Sequence, residues 1–562
     1  MELLCCMVYC QVGSTGVHVD ANARLVVTVN PTLICYPSLK TYKLKYKQQA
    51  AGSDLSQIFI YLSASMRKIP YRCYETELPM VSKVLRGGTV LTFDDATQRV
   101  RVLRRASVVM QDDRIIAITP DTETEVPADA DVVNVDGKIV CPGFVNTHVH
   151  MWQSVYRTIG PNIVLSHYFS WLSQASETAR VAFTPHDIYI SSLQGYLEGL
   201  YSGVTSYVDH AHHNWAPDFV EPGFRAAGDS GARVLWCYDV ADHDNFPLKE
   251  QWEVLGRIAA STISSSLVQP GISLDSLLSS FNRETNNQLQ HTREKISKLN
   301  LRGITMHHLG GPWPTGNSSP AQICQLNLHS DQCPIIFSHA PFLTNQEQDA
   351  LRKNNFFVSI TPESEFHFGH GQISGRLISD QAALGLDTNW TFSGDLLSQA
   401  RLWLQTVRQM NFHRALEKGL LPKETPFTVE QGFLMATRQG GLAMKRPDIG
   451  VLQVGAKADI VIFNGDSPNM LGWSDPIAAV LLHANPGDIE HVLVDGEFRK
   501  RDFKLVNLKS EWSQVRDQFL EAAQRIQKVA EKPPPLPKKL WGVGEMGDVE
   551  VASTMLPSRN HH

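Results

Sequence analysis

Apolar runs and helical patterns alternate along the middle of the chain, from about residue 141 to 446. The apolar runs are short and end in polar residues, as in IVCPGFVNTHVH, GVTSYVDHAH, ARVLWCYDV, RGITMHHLG, CPIIFSHAP, NNFFVSITP and ALGLDTN. Segments of helical character, such as HDIYISSLQGYLEGLYSG and TNQEQDALRKNN, stand between them. Strands that alternate with helices form parallel sheets, and this many repeats favour a closed sheet. We therefore predict an α/β fold, a (β/α)8 TIM-type barrel over 141–446, with its site at the carboxyl ends of the strands.

The regions on either side of this barrel have a different pattern. Short β-rich runs broken by glycine and Asp-Asp turns fill 80–140, and similar runs with Asp-Gly turns fill 447–505. We expect these two segments to pair into a small β-sandwich. Residues 506–562 predict an amphipathic helix, over 509–531, and a Pro-rich tail. Residues 1–79 show no stable period, and we interpret them either as a disordered extension or as sequence wrongly joined to the gene.

Charge and cysteine content limit the partners of the chain. The formal net charge is -6, which gives no electrostatic reason to expect a nucleic-acid partner. No apolar run reaches the roughly 18 residues of a membrane span, so we predict no membrane partner. The nine cysteines include no C-x-x-C pair, and we interpret them as reduced thiols of a cytoplasmic protein. The predicted partner is a small-molecule substrate, and a homo-oligomer is left open.

Histidines at one strand end are the strongest functional signal. His148 and His150 close the run VCPGFVNTHVH. On a strand, residues i and i+2 point to the same side, so both imidazoles face one point, as two ligands of one metal must. An H-x-H pattern alone is common by chance, but later strand ends supply His307, His308, His339 and Asp387. Each could instead be a core histidine or a helix cap, yet one shared site explains these positions more simply than separate roles.

The order of these motifs resembles the amidohydrolase superfamily. The chain has H-x-H after P-G-F-V-N-T-H, then a strand-end histidine, S-H-A and L-G-x-D, while HVHMWQSVYR and GAKADIVIF are similar to the cytosine deaminase and atrazine chlorohydrolase branch. The resemblance covers roughly 81–500. It implies one divalent metal, Zn²⁺ or alternatively Fe²⁺ or Mn²⁺, bound by His148, His150, His307 and Asp387. His307 is preferred over the adjacent His308 because it follows the I-T-M run as the family ligand does.

The same resemblance implies how the residues act. A hydroxide on the metal would attack an electrophilic carbon, because a bound metal lowers the pKa of its water to about 7. Asp387 would take the proton of the attacking water and pass it to the leaving group. His339 would orient the hydroxide or stabilise the oxyanion.

One departure from the family concerns the acid. Deaminases of this branch carry H-x-x-E at the third strand-end histidine, where the glutamate protonates a ring nitrogen, but His307 begins the run HHLGG. Glu363 or Glu365 could supply a carboxylate from another loop, and His367 and His370 lie in the same loop. Solvated loop charge is the favoured explanation for each glutamate.

Residues near the metal motif are candidates for substrate contact. The resemblance implies that Gln153 reaches the substrate, and the ring of Trp152 could stack on a planar ligand or fill the core. Glu365 is a third candidate. Trp313 and Trp390 follow other strand ends, so a flat or aromatic ligand is expected.

The leading hypothesis is a metal-dependent hydrolase that acts on a non-peptide C–N bond of a small, cyclic or aromatic substrate, as a deaminase does. The alternative is hydrolytic removal of another leaving group, as in a chlorohydrolase or an amide hydrolase, and the missing glutamate favours it. A third hypothesis is a non-catalytic binding or scaffold protein on the same barrel. The scaffold hypothesis is disfavoured because every expected metal position carries a ligand.

Overall fold

The computed structural model describes residues 82–241, 245–263, 266–275, 283–314, 319–325 and 333–550, with the side chains of 283–289 and 325 excepted, and two short strands, Val17–Val19 and Leu25–Val27. Those two strands pair with each other in antiparallel fashion. The chain divides into two compact units, 1–77 and 78–562. Apart from the two short strands, the segment 1–79 lies outside the described residues, so its interpretation stays a prediction.

The larger unit begins with strands rich in β-branched residues that form the first part of a sheet beside the barrel. Asp112 has a φ of 51° in the tight turn between the second and third of them, as a short hairpin turn requires. The strands are β1 (Ser82–Asp94), β2 (Arg99–Gln111), β3 (Arg114–Pro120), β4 (Asp131–Asn134) and β5 (Ile139–Pro142).

The predicted barrel is confirmed as eight parallel strands whose order in the sheet follows their order in the chain. A parallel bridge between Val149 and Asp387 connects the first strand with the segment after the last one, and so closes the sheet. The strands are β6 (Phe144–Val149), β7 (Val204–Ala211), β8 (Arg233–Asp239), β9 (Val268–Ser273), β10 (Ile304–His308), β11 (Ile335–His339), β12 (Phe357–Ile360) and β13 (Ala382–Leu384).

Strand β9 is absent from the strands that the sequence predicts. Its sequence, VQPGIS, contains a proline and a glycine, both of which disfavour a central strand. The Pro270 carbonyl nevertheless accepts a hydrogen bond from the Arg302 amide at 2.8 Å. A Cβ on Gly271 would lie 2.9 Å from the Gly303 carbonyl oxygen, so the close approach of neighbouring strands requires glycine here. The failure to predict β9 has a consequence for the functional site, because a residue shortly after β9 lines the cavity described below.

Helices surround the barrel and alternate with its strands. Two of those predicted from sequence begin with capping boxes, in which Thr184 pairs with Asp187 and Thr344 with Glu347. The helices are α1 (Leu165–Trp171), α2 (Glu177–Ala182), α3 (Pro185–Tyr201), α4 (Val220–Ser230), α5 (Leu248–Ser261), α6 (Arg283–Lys298), α7 (Pro320–Gln325), α8 (Asn345–Asn354), α9 (Pro362–Phe368), α10 (Leu396–Leu416), α11 (Val429–Ala436), α12 (Arg438–Ala443), α13 (Pro476–Ala478) and α14 (Trp512–Val529). Among the helices described, none combines the length and apolar character that a membrane crossing needs.

The chain after the barrel returns to the flanking sheet. Strand β5 pairs in antiparallel fashion with β14, so strands from the segments before and after the barrel belong to one nine-stranded sheet. Side chains from both segments share a buried core that includes Val140 and Ile462. The remaining strands are β14 (Ile460–Phe463), β15 (Ile489–Val494), β16 (Glu497–Arg501), β17 (Lys504–Leu505) and the terminal hairpin β18 (Lys539–Leu540) and β19 (Gly544–Glu545).

A buried ion pair connects this sheet with the barrel. Arg233, at the start of β8, donates two hydrogen bonds of 3.0 Å to the Asp459 carboxylate, just before β14. The two side chains are only 6% and 1% exposed. Arg233 also pairs with the Asp495 carboxylate, which is 19% exposed, so removing Asp459 leaves the buried guanidinium with one partly exposed partner. Losing a buried, hydrogen-bonded partner is more destabilising than losing an exposed pair.

We expect Asp459→Ala to lower the free energy of unfolding by about 1.5–3 kcal/mol, the usual contribution of hydrogen bonds to a charged group, because Asp495 still pairs with Arg233. Asp380→Ala is the matched control, because Arg352 and Asp380 form a bidentate pair with side chains that are 40% and 56% exposed. Loss of that pair should change the free energy by less than about 1 kcal/mol. Denaturant unfolding of the two variants measures the difference, and equal losses would contradict the role of Asp459.

Candidate active site

Three places at the carboxyl end of the barrel bring four candidate ligands to one point. His148 lies on β6 with His150 directly after it, His307 lies on β10, and Asp387 follows β13. Asp387 Oδ1 is 3.2 Å from His148 Nε2 and 3.4 Å from His150 Nε2. His307 Nε2 is 3.3 Å from His150 Nε2. The four donor atoms all lie within 4.8 Å of one another, so the structure brings together the set that the sequence suggested.

Hydrogen bonds at Nδ1 orient the two imidazoles of the H-x-H motif. His148 Nδ1 is 2.7 Å from the Ser338 hydroxyl oxygen. His150 Nδ1 donates to the His210 carbonyl oxygen at 2.8 Å. Since one ring nitrogen is engaged in this way, the other presents its lone pair to the centre of the cluster.

His307 is oriented by a carboxylate. Asp275 accepts a hydrogen bond from the His307 amide through Oδ1 at 2.7 Å and lies 2.5 Å from His307 Nδ1 through Oδ2. Burial alone would lower the pKa of His307, but the Asp275 carboxylate raises it on balance. Metal-binding histidines commonly carry such a partner. Sequence analysis missed Asp275 because it follows the unrecognised strand β9.

The neighbouring histidine points elsewhere. His308 Nε2 lies 3.7 Å from Glu347 Oε1, on the side of helix α8. Successive strand residues face opposite ways, so His307 and His308 cannot both reach the cluster. The geometry therefore favours His307 over His308.

The protonation of the cluster suits one divalent cation. Burial lowers the pKa of His148 well below its usual value, which keeps the imidazole neutral and its lone pair available. Burial alone would raise the pKa of Asp387, but hydrogen bonds with His148 and His150 hold it well below its usual value. The Ser364 hydroxyl donates to Asp387 Oδ2 at 2.5 Å. Imidazole nitrogens and an ionised carboxylate form a donor set that fits a metal such as zinc.

Two further imidazoles lie on the other side of Asp387. Donor atoms of His339, His370 and Asp387 also lie within 4.8 Å of one another. His339 Nδ1 is 2.8 Å from the Thr361 hydroxyl, and burial lowers the pKa of His339 to about 3. His370 Nδ1 is buried and has no hydrogen-bond partner among the described residues. Both rings therefore remain neutral beside the cluster.

A cavity of about 350 Å³ opens above these residues, a size suited to a small ligand. His307, His339, His370, Asp275 and Asp387 line its polar side. Its other walls are largely apolar and aromatic, and include Leu165, Tyr168, Phe169, Leu309, Phe368, Trp390 and Trp541.

The substrate candidates from sequence fall in different places. Gln153 lines the cavity, and its Oε1 is buried without a hydrogen-bond partner among the described residues. Trp390 lines it as well. Trp313 does not line it, but donates to the His370 carbonyl oxygen at 2.6 Å.

Trp152 and Glu365 were expected to contact the substrate, but neither residue lines the cavity. Trp152 is 1% exposed and donates from Nε1 to His212 Nδ1 at 2.9 Å. Glu365 accepts from the Thr361 amide at 2.8 Å, and burial raises its pKa to about 7. Trp152 contacts His212, which lines the cavity, and Glu365 contacts Thr361, which is hydrogen-bonded with the cavity-lining His339.

The other two candidates from the same loop are not in the cavity wall either. Glu363 is hydrogen-bonded with the Gln399 side chain at 2.6 Å. His367 packs edge-on against Phe368 and Phe392.

His212 and Trp541 line the cavity but were not singled out from sequence. His212 stacks on His150 with ring centroids 4.0 Å apart. The period-two spacing of His210 and His212 at the end of β7 could have indicated it. Trp541 lies in the C-terminal segment, where no pattern pointed to the barrel.

The profile of the amidohydrolase family matches residues 139–499. The chain is 22% identical over 440 residues to a 5-methylthioadenosine/S-adenosylhomocysteine deaminase of Caldicellulosiruptor saccharolyticus, covering 76% of this chain and 95% of that protein. It is 23% identical over 415 residues to a 5'-deoxyadenosine deaminase of Methanobrevibacter smithii, covering 72% and 91%.

Two solved structures share the fold. An adenosine deaminase from Xanthomonas campestris with bound zinc superposes with a TM-score of 0.67 at 17% identity, over 80% of this chain and 99% of that one. The atrazine chlorohydrolase of Arthrobacter aurescens TC1 complexed with zinc superposes with a TM-score of 0.64 at 17% identity, over 78% and 99%. Because the family profile spans more than half of the sequence, the chain belongs to the amidohydrolase family of hydrolases that act on carbon–nitrogen bonds other than peptide bonds.

Proposed function

We propose that the chain is a metal-dependent aminohydrolase that releases ammonia from an amino-substituted heterocycle. The observation that carries the proposal is the convergence of His148, His150, His307 and Asp387 at the polar end of an aromatic cavity. The deaminase names of the relatives from Caldicellulosiruptor saccharolyticus and Methanobrevibacter smithii support the reaction class. The aromatic walls suit a flat ring.

We assign one divalent metal to these four residues, and zinc as its identity. Imidazole nitrogen and carboxylate oxygen are donors that zinc prefers, and two of the related structures contain zinc. A metal in such a site lowers the pKa of a bound water to about 7 and polarises the carbon under attack.

Asp387 is the proposed base. The Ser364 hydroxyl donates a hydrogen bond to Asp387 Oδ2, and Asp387 Oδ1 faces the histidines. The carboxylate is ionised, so it can accept a proton from the attacking water and then deliver it to the departing amine.

His339 is proposed to orient the attacking water. The Thr361 hydroxyl is 3.4 Å from Glu365 Oε1 and can donate to it, which leaves the Thr361 oxygen as acceptor for His339 Nδ1–H. This chain of contacts favours the tautomer in which Nε2 is the acceptor. The role of Glu365 is thus to position His339 through Thr361.

The ring nitrogen of the substrate needs a hydrogen-bond donor other than glutamate. Gly310 has a φ of 69° and stands where the family glutamate would be. Asp275 is engaged with His307 through both oxygens. His212 Nδ1 accepts from Trp152, so the proton of the neutral ring is on Nε2. We therefore propose His212 as the donor to the ring nitrogen.

The absence of an acid at Gly310 favours a second candidate function. A substrate whose leaving group departs without ring protonation does not require that glutamate. Hydrolytic removal of such a group, as in the chlorohydrolase and amide hydrolase classes, uses the same Asp387 and His339. A substrate screen that measures both ammonia and halide release distinguishes the two functions.

We also propose a cytoplasmic location, supported by the free thiols of Cys141, Cys237 and Cys324. We further propose that the chain can form a homo-oligomer.

We expect His307→Ala to lose most of the bound metal, because it removes one of the four ligands. His308→Ala should retain it, because that ring lies beside Glu347 and outside the cluster. Metal analysis of the two purified variants makes the comparison. A full equivalent of zinc in His307→Ala, or its loss only in His308→Ala, would reverse the assignment.

Asp275→Asn should weaken metal binding by about 10- to 100-fold, the usual effect of losing a partner of a metal-binding histidine. The reason is that the neutral amide would no longer supply the negative charge that orients His307 Nδ1–H. Competition with a zinc chelator measures the affinity. Unchanged affinity would mean that the contact between Asp275 and His307 is not needed for the site.

Asp387→Asn should reduce turnover by about 10²-fold or more, since the amide cannot accept the proton of the attacking water. His339→Asn should keep its metal and lose rate instead, because the water is poorly oriented. Ammonia release from amino-purines, -pyrimidines and -triazines, read together with metal content, separates the two roles. Near-wild-type turnover in Asp387→Asn would contradict the mechanism.

A further inference from the structure

The C-terminal segment of the chain reaches the active site. It follows residue 499, where the match to the family profile ends, and it contains α14 and the hairpin β18–β19. Gln527 on α14 donates to the Val155 carbonyl oxygen at 2.9 Å and to that of Arg157 at 3.2 Å. Arg525 donates to the Ala182 carbonyl oxygen at 2.6 Å. The helix is thereby anchored on the segment directly after the H-x-H motif.

The chain after α14 turns back over the mouth of the barrel. The Pro534 carbonyl oxygen is 2.8 Å from His167 Nε2 on α1. Lys539 and Glu545 form an ion pair across the hairpin. A Cβ on Gly544 would lie 2.9 Å from Pro314 Cγ, so the hairpin packs closely on the loop after β10. These contacts fix the hairpin turn above the cavity.

Trp541 is the residue that this turn presents to the cavity. It has a φ of 48°, followed by Gly542 at 79°, and this left-handed pair forms the tip of the hairpin. Its ring lies 4.9 Å from that of Phe169, centroid to centroid. The side chain lines the cavity yet is 53% exposed, so part of its ring is free to contact a ligand.

The charges around the cavity restrict what that ligand can be. Of the cavity-lining residues that the structure describes, none is a lysine or an arginine. The stretches 242–244, 264–265, 276–282, 315–318 and 326–332 contain neither residue in their sequences, and Arg283 is the one cationic residue among the side chains of 283–289 and 325 that are not described. The lining carboxylates are Asp275 and Asp387. Among the described side chains, a carboxylate or phosphate on the part of the substrate remote from the proposed metal would therefore find no cationic partner.

We propose that the C-terminal segment 532–545 is part of the active site and that Trp541 is a specificity residue for an apolar, flat substituent remote from the reacting amino group. The proposal rests on the proposed function, and it names the substrate class as an uncharged amino-heterocycle that carries an apolar or aromatic substituent. Aromatic rings gain affinity from offset or edge-on contact with one another, which Trp541 and Phe169 together offer. Trp541 thus determines which substrates bind well and leaves the bond-breaking step to the residues at the metal.

The test uses three probes that differ only in the remote group: 9-methyladenine, 9-benzyladenine and 9-(carboxymethyl)adenine. Calorimetric dissociation constants and ammonia release are measured with the zinc-loaded full chain. The variants are Trp541→Ala, Trp541→Phe and, as a matched control, Trp512→Ala, which removes a 42% exposed tryptophan at the start of α14.

The wild-type chain should bind the benzyl compound at least about tenfold more tightly than the methyl compound, and the carboxymethyl compound least tightly. Trp541→Ala should remove most of the preference for benzyl with unchanged zinc content, and any ammonia release should change in KM and not in kcat. Trp541→Phe should restore most of the preference, and Trp512→Ala should keep it.

The outcomes separate this proposal from the proposed function. Selective benzyl binding that depends on Trp541, without ammonia release, supports the specificity role and contradicts the aminohydrolase. Absence of a benzyl preference in the wild-type chain, absence of binding, or a preference that survives Trp541→Ala overturns the role of Trp541. Tightest binding of the carboxymethyl compound overturns the substrate class.

Discussion

The backbone pairing that closes the barrel is the constraint on which the site depends. The His148 carbonyl oxygen accepts a hydrogen bond from the Asp387 amide at 2.9 Å, and the Asp387 carbonyl oxygen accepts one from the His150 amide at 2.8 Å. These bonds join the first strand of the barrel to the segment after the last one. The same residues are three of the four proposed metal ligands, so closing the sheet also sets the distances between these side chains. Asp387 holds a φ of 66° to do so, a conformation that a packed and paired surrounding can sustain.

Around the cluster of His148, His150, His307 and Asp387, polar groups fix the positions of protons on the imidazoles, and aromatic groups form the walls of the cavity. Ser338, the His210 carbonyl and Asp275 each engage one Nδ1, so the ring nitrogens that face the cluster are available as donors to a cation. The aromatic wall on the other side gives affinity to flat ligands without charge. We therefore propose that different residues of one cavity orient the reacting groups and select the substrate.

Much of this arrangement could be predicted from the sequence, because period-two spacing and apolar runs mark strand ends directly. His148, His150 and Asp387 follow long apolar runs, and the I-T-M run before His307 favours it over His308, whose ring faces the opposite way. Strand β9 was missed because Pro270 and Gly271 hide its pattern, and Asp275 was missed with it. Trp152 was expected at the substrate, but local sequence does not tell which face of a short helical turn, Met151–Tyr156, meets the cavity. Trp541 could not be predicted, since its contact with Phe169 joins positions distant in the chain through tertiary packing alone.

We propose that one divalent metal held by these four residues makes the chain a hydrolase. The most direct test is a titration of the metal-free protein with zinc, in which ammonia release from an uncharged amino-heterocycle is followed at each addition. We expect activity that rises linearly and stops rising at one equivalent of zinc per chain. Activity that is independent of added metal after complete chelation, or that continues to rise to two equivalents, would contradict it.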